Sequence, residues 1–240
     1  MRGIKRLLNK GRNKTPDIVR DKLNILNSDS AFSTIEEYKA LRTNITFCLP
    51  SGQCKIIGIT SAEAEEGKSI TCINLALAFA ETKARVLIID CDLRRPRISS
   101  LLSMPASPGL SNVLVSLSSP DEVIHTMSNS TADVILSGDI PPNPSELLAS
   151  DQMRLLLEQL AKKYDYIFLD SPPINLVTDA VILSKWLTGI LFVVRAGLSE
   201  KGSVINAVNH LTFVGGNILG FLLNGIKTKS TSSRYSKYYR

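Results

Sequence analysis

The feature that most constrains this chain is the segment from Lys55 to Ala80, which reads KIIGITSAEAEEGKSITCINLALAFA. It opens with an apolar run in which Ile56, Ile57 and Ile59 are β-branched, a composition typical of a buried parallel strand. A loop ending in Gly67-Lys68-Ser69 follows, and a periodic apolar stretch comes after the loop. The segment therefore predicts a strand, a phosphate-binding loop and a helix.

Apolar residues after the loop recur every three or four positions, so they share one face of a helix that begins near Lys68. These residues are Ile70, Ile73, Leu77 and Ala80. The first amides of a helix lack partners and the helix dipole favours an anion there. Lys68 would reach the outer phosphates of a nucleotide and the Ser69 hydroxyl would reach a magnesium ion. The predicted nucleotide contacts are Ser61, Ala62, Glu63, Ala64, Glu65, Glu66, Gly67, Lys68, Ser69 and Ile70.

The loop departs from the general G-x-x-x-x-G-K-[ST] pattern, because Ala62 stands where the first glycine would be. Glu65 places a carboxylate on a loop meant to hold phosphate, which is repulsive unless its side chain faces solvent. The alternative interpretation is an ordinary strand-to-helix turn that contains Gly-Lys-Ser.

The chain has 240 residues with 44% hydrophobic content, enough for one α/β domain with a full core. We expect a cytoplasmic protein, because the start resembles no signal peptide and no apolar run reaches the length needed to cross a bilayer. The four cysteines show no C-x-x-C spacing, so reduced thiols are expected rather than a disulfide frame or a zinc site. They are Cys48, Cys54, Cys72 and Cys91.

The net charge of +6 is unevenly distributed along the chain. Residues 1–30 hold 8 Lys/Arg against 3 Asp/Glu, residues 225–240 hold 5 against none, and residues 31–224 hold 15 against 19. We expect a basic flexible arm at 1–30, a folded domain at 31–224 and a flexible tail at 225–240. The arm has three open interpretations: a solvated tail, weak attachment to an anionic membrane surface, or nucleic-acid contact.

A helix is predicted from the capping-box spacing of Ser33-Thr34-Ile35-Glu36 to about Phe47. Its apolar side would be formed by Ile35, Tyr38, Leu41 and Ile45. Packing on its own domain and contact with a second subunit are both compatible with this spacing.

Acidic residues follow two further apolar runs that predict buried strands. Asp90 and Asp92 end the run that starts at Arg85, and Asp170 ends the run that starts at Tyr166. Ligands of open α/β sheets bind at the carboxyl ends of the strands. Carboxylates there can hold magnesium beside a triphosphate and accept a proton from an attacking hydroxyl.

Alternating strands and helices with short connections predict a doubly wound, mostly parallel sheet flanked by helices. Further strands are predicted at 134–136, 190–194 and 218–223, with a helix at 201–213. Asn143, Pro144 and Glu146 fit the start of another helix as N-cap, first and third residues.

The last 16 residues hold Tyr235, Tyr238 and Tyr239, half of the six tyrosines in the chain. Aromatic residues in a cationic tail add nothing to a core, so two functional interpretations remain. They could accept phosphate, which would take the tail from +5 to about neutral, or they could stack on single-stranded nucleic acid.

These motifs resemble the bacterial tyrosine kinases of capsule and exopolysaccharide synthesis, which are P-loop enzymes of the MinD/ParA-like superfamily. The resemblance covers about residues 33–240. It rests on EEYKALRTN (36–44), the loop at 61–69, VLIIDCDLRRP (86–96), GDIPPNPSELL (138–148), YIFLDSPP (166–173) and the tyrosine tail.

The resemblance implies an ATP-dependent protein-tyrosine kinase that uses Mg2+. It implies that Lys68 binds the phosphates, that Ser69 and Asp170 serve the metal together with Asp92, and that Asp90 and Asp92 form a second Walker-type motif. Asp92 is our choice for the base acting on tyrosine.

The resemblance further implies phosphorylation of the tail tyrosines by a neighbouring subunit of a ring. The ring interface would include Glu36, Glu37, Tyr38, Leu41, Arg42 and Asn44. The implied partners are a transmembrane activator that recruits the chain to the inner face of the membrane, a cognate tyrosine phosphatase and protein substrates of polysaccharide pathways. No nucleic acid is expected.

The chain departs from the family where Pro-Gly is usual, at Ala64 and Glu65, which predicts reduced nucleotide affinity. A ParA/MinD-like ATPase switch is an alternative, but such proteins carry a signature lysine at the position of Glu63. A catalytically weak nucleotide-binding adaptor is a second alternative, kept open by Glu65.

Overall fold

The computed structural model describes residues 17–128 and 130–226. The strands are β1 (Lys55–Ser61), β2 (Val86–Asp90), β3 (Ile124–Thr126), β4 (Asp133–Ile135), β5 (Tyr166–Asp170), β6 (Gly189–Arg195) and β7 (Ile218–Asn224). The helices are α1 (Asp17–Lys22), α2 (Phe32–Cys48), α3 (Lys68–Ala80), α4 (Ile98–Leu102), α5 (Leu110–Leu114), α6 (Pro120–Val123), α7 (Pro144–Ala149), α8 (Asp151–Leu160), α9 (Asp179–Leu183) and α10 (Lys201–Phe213).

The seven strands form one sheet in the order β3-β4-β2-β5-β1-β6-β7. Every pairing is parallel except that of the edge strand β3 with β4, which is antiparallel. The predicted mostly parallel sheet is confirmed. Because β1, β2 and β5 are neighbours, their carboxyl ends meet in the middle of one edge.

Alternate residues of the central strands enter two different cores. In β2, Val86 and Ile88 pack in the cluster that contains α3, whereas Leu87 and Ile89 pack in the cluster that contains α8. All four side chains are fully buried. Burial on both faces explains why these strands are continuous apolar runs, and it confirms the doubly wound arrangement.

The predicted start of α2 is wrong, although the helix itself is confirmed. Ser33 was expected to cap it, but the helix begins at Phe32 and Ala31 occupies the N-cap with no side-chain hydrogen bond. The buried Ile45 and the partly buried Leu41 pack against the cluster around α3. Packing on the domain, rather than a capping box, therefore stabilises this helix.

The predicted boundary between arm and domain at residue 31 is also wrong for residues 17–30. The amide of Leu26 donates to Asn74 Oδ1 at 2.8 Å, and Asn74 Nδ2 donates to the carbonyl of Asn24 at 2.8 Å. Ile25 packs against the core cluster on the same face. These residues belong to the folded domain because Asn74, buried on α3, pairs with their main chain. Residues 1–16 and 227–240 lie outside the described residues.

Candidate functional site

The loop between β1 and α3 ends in a glycine with a left-handed backbone conformation. Gly67 has φ = 96°, in the left-handed region, and directly precedes Lys68. A Cβ atom at this position would lie 2.1 Å from Asn224 Nδ2. The left-handed backbone favours glycine, and a larger residue would also displace the Asn224 side chain. The predicted helix start at Lys68 is confirmed.

Glu66 fastens this loop to the ends of the neighbouring strands. Its side chain has no exposed surface. One carboxylate oxygen accepts the amide of Glu63 at 3.0 Å and the other accepts the hydroxyl of Ser199, beyond β6. The carbonyl of Glu66 accepts Asn224 Nδ2 at 3.0 Å from the end of β7. The shape of the loop is thus held from outside the loop itself.

Glu65 is the strained residue of the loop, with φ = 63°. A non-glycine residue in this region costs about 1–2 kcal/mol. The side chain is exposed, so its carboxylate faces solvent, and the carbonyl accepts Arg195 Nη1 at 2.7 Å. The structure therefore shows the steric penalty expected at this position, while solvent weakens the electrostatic one.

Ala62 explains how the loop does without its first glycine. It has no exposed surface and lies in an apolar cluster with Ile174 and Phe192. Its methyl group therefore packs in the core. Among the other predicted contacts, Ser61 is buried and its hydroxyl donates to the Glu63 carbonyl at 2.6 Å, whereas Ala64 is exposed.

The acids predicted at the strand ends do meet at one place. Asp90 and Asp170 are register partners in the adjacent strands β2 and β5, and Ile59 of β1 pairs with Asp170 on its other side. Asp90 and Asp170 are almost fully buried, whereas Asp92 is half-buried. Of the three carboxylates, Asp92 is the one that an external hydroxyl can approach.

Asp170 is a buried carboxylate with few hydrogen-bond partners in the part of the chain that the structure describes. Both carboxylate oxygens are buried and make no regular hydrogen bond with any described residue. Burial raises the pKa of Asp170 to about 7; the Ser69 hydroxyl and Lys68 oppose the rise, and Asp92 adds to it. Burial likewise lowers the pKa of Lys68, against the pull of Asp170, Asp92 and Glu66. These side chains are therefore near enough to act on one another.

Asp90 shapes the turn that presents Asp92. Its carboxylate accepts the amides of Asp92 at 3.2 Å and Ile98 at 3.3 Å. Burial and the charge of Asp170 hold its pKa well above the usual range. Asp92 Oδ1 in turn accepts the amide of Arg95 at 2.9 Å. Asp90 supports the turn, and the exposed side of Asp92 is left for chemistry.

The residues fit a magnesium ion only if other oxygens complete its shell. Among the described residues, no group of three or more His, Cys, Asp or Glu side chains could hold a metal. Ser69, Asp92 and Asp170 supply two carboxylates and a hydroxyl. Magnesium usually takes one or two carboxylates and completes its shell with phosphate oxygens and water, so this donor set suits it.

The predicted subunit face of α2 is largely turned inward. Burial raises the pKa of Tyr38, whose hydrogen bonds with Asn74 and Thr71 oppose the rise. Leu41 packs on the core, and Arg42 donates to the carbonyl of Ala78 on α3. Glu36 pairs with Lys39 at 2.9 Å within the helix, and Glu37 and Asn44 are exposed. The predicted acceptors Tyr235, Tyr238 and Tyr239 lie outside the described residues.

The residues that brace the loop were not predicted. Ser199 and Asn224 lie 133 and 158 positions along the chain from Glu66. Arg195 is 130 positions from Glu65. Nothing in a local pattern marks them, because their role depends on the parallel pairing of β1, β6 and β7.

Comparisons with known proteins find relatives that match most of the chain. The model of a family described as "AAA domain" matches residues 54–196. Tyrosine-protein kinase YwqD of Bacillus subtilis (strain 168) is 39% identical over 203 residues, which span 85% of each chain. Tyrosine-protein kinase etk of Escherichia coli (strain K12) is 37% identical over 206 residues, 86% of this chain and 28% of that one.

Solved structures show the same relationship. The kinase domain of Escherichia coli tyrosine kinase ETK superposes with a TM-score of 0.81 at 34% identity, covering 95% of this chain and 87% of that one. The cell division ATPase MinD of Pyrococcus furiosus has a TM-score of 0.59 at 26% identity, covering 70% and 71%. The likeness to the kinase domain is closer in fold, sequence and extent.

Proposed function

The chain belongs to the bacterial tyrosine kinases, a family of P-loop proteins, and from this premise we propose that it phosphorylates tyrosines in its own C-terminal segment using magnesium and ATP. One observation carries the proposal: the pairing of β1, β2 and β5 brings three separate motifs together at the carboxyl ends of these strands. These motifs carry Lys68, Asp92 and Asp170. Such a set can bind a triphosphate and accept a proton beside it.

The transfer needs a base, and Asp92 is placed for that role. The tyrosine oxygen forms a bond to the γ-phosphorus while the bond from that phosphorus to the bridging oxygen of ADP breaks. The phenolic proton passes to Asp92, which is more accessible than Asp90 or Asp170. Lys68 and the first amides of α3 bind the phosphate oxygens and stabilise their charge.

Ser69, Asp92 and Asp170 would hold the magnesium ion. When bound, the ion would neutralise charge on the β- and γ-phosphates. It would also place a cation against the buried Asp170 carboxylate, whose oxygens make no regular hydrogen bond with the described residues.

The proposed acceptors are Tyr235, Tyr238 and Tyr239. Support comes from the residue at which the sheet ends before this segment begins. Asn224, the last residue of β7, donates a hydrogen bond to the carbonyl of Glu66 in the phosphate loop. The segment also carries five basic residues and no acidic ones, whereas residues 31–224 carry more acidic than basic residues. Transfer between subunits of a ring is part of the proposal, with the exposed Glu37 and Asn44 of α2 at the interface.

We propose the partners, location and pathway of the kinase from its family relationship. The kinase works with a transmembrane activator that recruits it to the inner face of the cell membrane, and it regulates capsule or exopolysaccharide synthesis. A tyrosine phosphatase reverses the modification, other proteins of the pathway are further substrates, and nucleic acid is not a ligand. Among residues 17–128 and 130–226, no helix is long and apolar enough to cross a membrane.

The decisive experiment is phosphotyrosine mapping by mass spectrometry after incubation of the full chain with magnesium and ATP, with and without the cytoplasmic segment of a candidate activator. Phosphate on Tyr235, Tyr238 or Tyr239 is expected. It should vanish in Lys68→Ala and persist in Lys55→Ala, because Lys55 is equally buried but lies at the other end of β1. Phosphate appearing on Lys68→Ala chains mixed with an active chain would establish transfer between subunits.

Two other functions are outcomes of the same experiment. Release of free phosphate from ATP without tyrosine modification would indicate an ATPase switch of the MinD type. Nucleotide binding without either reaction would indicate an adaptor, a function that the strained φ of Glu65 favours.

A further inference from the structure

A closed triangle of side chains lies beside the site. Asp179, at the start of α9, has no exposed surface. Arg94 Nε donates to Asp179 Oδ2 at 2.8 Å and Arg94 Nη2 donates to Asp179 Oδ1 at 3.1 Å. The Ser145 hydroxyl donates to Asp179 Oδ1 at 2.6 Å and accepts Arg94 Nη2 at 2.7 Å.

The triangle joins the segments that follow three adjacent strands. Arg94 lies two residues after Asp92, beyond β2; Ser145 is in α7, beyond β4; Asp179 follows the loop beyond β5. A fully buried carboxylate is costly unless it is paired and hydrogen-bonded, and a bidentate guanidinium with a hydroxyl supplies that pairing. Removing one partner should therefore release the others.

The triangle completes the support of the Asp92 turn. Asp90 holds the main chain of that turn by accepting the amides of Asp92 and Ile98. Arg94, which lies between these two residues, is the outer anchor of the turn, because its side chain forms an ion pair with Asp179. Small displacements of a reacting group cost rate, so the outer anchor matters for transfer more than for nucleotide binding.

We propose that Asp179 is a positioning residue for phosphoryl transfer, which it serves by fixing Arg94 and through it the Asp92 carboxylate. This inference rests on the proposed role of Asp92 as base. Asp179 touches neither the phosphate loop nor Lys68 by any hydrogen bond among the described residues. Because Asp92 would contact the nucleotide only through the magnesium ion, Asp179 should affect kcat and leave the affinity for metal-free ADP unchanged.

The test is Asp179→Asn, which keeps the shape of the side chain and removes its charge. The matched control is Asp165→Asn: Asp165 receives Arg85 in a similar two-pronged ion pair at the opposite end of the same strands. The full chain is assayed for kcat and KM of tyrosine phosphorylation, for ATP hydrolysis, and for the affinity and stoichiometry of ADP binding in EDTA by calorimetry.

Asp179→Asn should lower kcat about tenfold or more, with the dissociation constant of ADP in EDTA within about twofold of wild type. Asp165→Asn should leave kcat within about twofold. Arg94→Lys keeps the charge but loses the fork, and it should lower kcat in the same selective way. Because Arg94 is partly exposed, this variant also keeps the test available should Asp179→Asn fail to fold.

Unchanged kcat in Asp179→Asn or in Arg94→Lys overturns the inference. So does a loss of kcat in Arg94→Lys that is matched by an equal loss of ADP-binding sites, because that pattern reports unfolding. If the wild type hydrolyses ATP without modifying tyrosine, the proposed function fails. The hydrolysis rates of the same variants then decide the role of Asp179, since Asp92 would act on water in the same place.

Discussion

The guanidinium of Arg195 donates to the carbonyl of Glu65 at 2.7 Å and so stabilises the phosphate loop at its strained residue. This hydrogen bond uses the main-chain carbonyl of Glu65, so it does not depend on which side chain is at this position. The loop therefore keeps its support when the glutamate is replaced, and the contributions of charge and of strain can be separated by mutation.

Glu65→Gly should tighten magnesium-ADP binding by about threefold to tenfold, because it removes a negative charge near the phosphates and lets the backbone adopt φ = 63° freely. Calorimetry at low and high salt measures the effect, and the part due to charge should shrink as salt is added. An unchanged or weaker dissociation constant would contradict this account of the loop.

Lys83→Gly is the matched control for strain. Lys83 has φ = 64° and is exposed beyond the far end of α3. Its replacement should change the unfolding midpoint as Glu65→Gly does and leave the nucleotide affinity unaltered.

Ser199→Ala should lower the free energy of unfolding by about 1–3 kcal/mol, because it leaves one oxygen of the buried Glu66 carboxylate without a donor. Nucleotide binding should weaken as the loop loosens. Urea denaturation of this variant, beside Ser100→Ala at an exposed position, gives the comparison. Equal urea midpoints for the two variants would show that Ser199 does not support the loop.

Asp170→Asn should stabilise the protein in EDTA at pH 8 while it abolishes magnesium-dependent nucleotide binding. Burial raises the pKa of Asp170 from 3.8 to about 7. The folded chain therefore retains a proton that the unfolded chain has lost, and stability falls as the pH rises from about 4 to about 7. The variant removes this loss.

Urea titrations at pH 5.5 and pH 8 measure the effect of Asp170→Asn. The advantage of the variant over wild type should be larger at pH 8. An advantage that is the same at both values would mean that Asp170 is ionised throughout.

Cys54 should react slowly with iodoacetamide at pH 8, while Cys48 reacts readily. Burial, with a smaller effect of Asp165, raises the pKa of the Cys54 thiol to about 11, and the thiolate is the reactive form. Cys48 is exposed and serves as the internal control. Peptide mapping should show the Cys54 rate rising about tenfold per pH unit between 8 and 10. Equal rates for the two cysteines at pH 8 would contradict the burial of Cys54.

Much of the fold could be predicted because its signals are local. The apolar runs of β1, β2 and β5 are buried on both faces, and α10 spans the predicted Lys201–Phe213. The acids at the strand ends followed from the rule that ligands bind at that edge of a parallel sheet. The helix α8 also carries a readable pattern, with Met153, Leu156, Leu157 and Leu160 buried at spacings of one, three and four, but it was not predicted.

The remaining features depend on contacts that span the chain. The pairing of Asn74 with Asn24 and Leu26 placed residues 17–30 in the domain, and no composition rule could reveal it. Asn143 shows a smaller discrepancy: it occupies the predicted N-cap, but its side-chain amide donates to Glu146 Oε2 at 2.6 Å and its side chain makes no capping hydrogen bond with the helix main chain.

The position of Asn224 limits how the chain can be shortened. Its amide supports Glu66, and its side chain occupies the space that a Cβ on Gly67 would need. A truncation that stops before Asn224 would remove a prop of the nucleotide loop along with the tyrosines, and lost activity would then be misread as a need for the acceptors. Truncations made to study the tail should keep residues through Ile226.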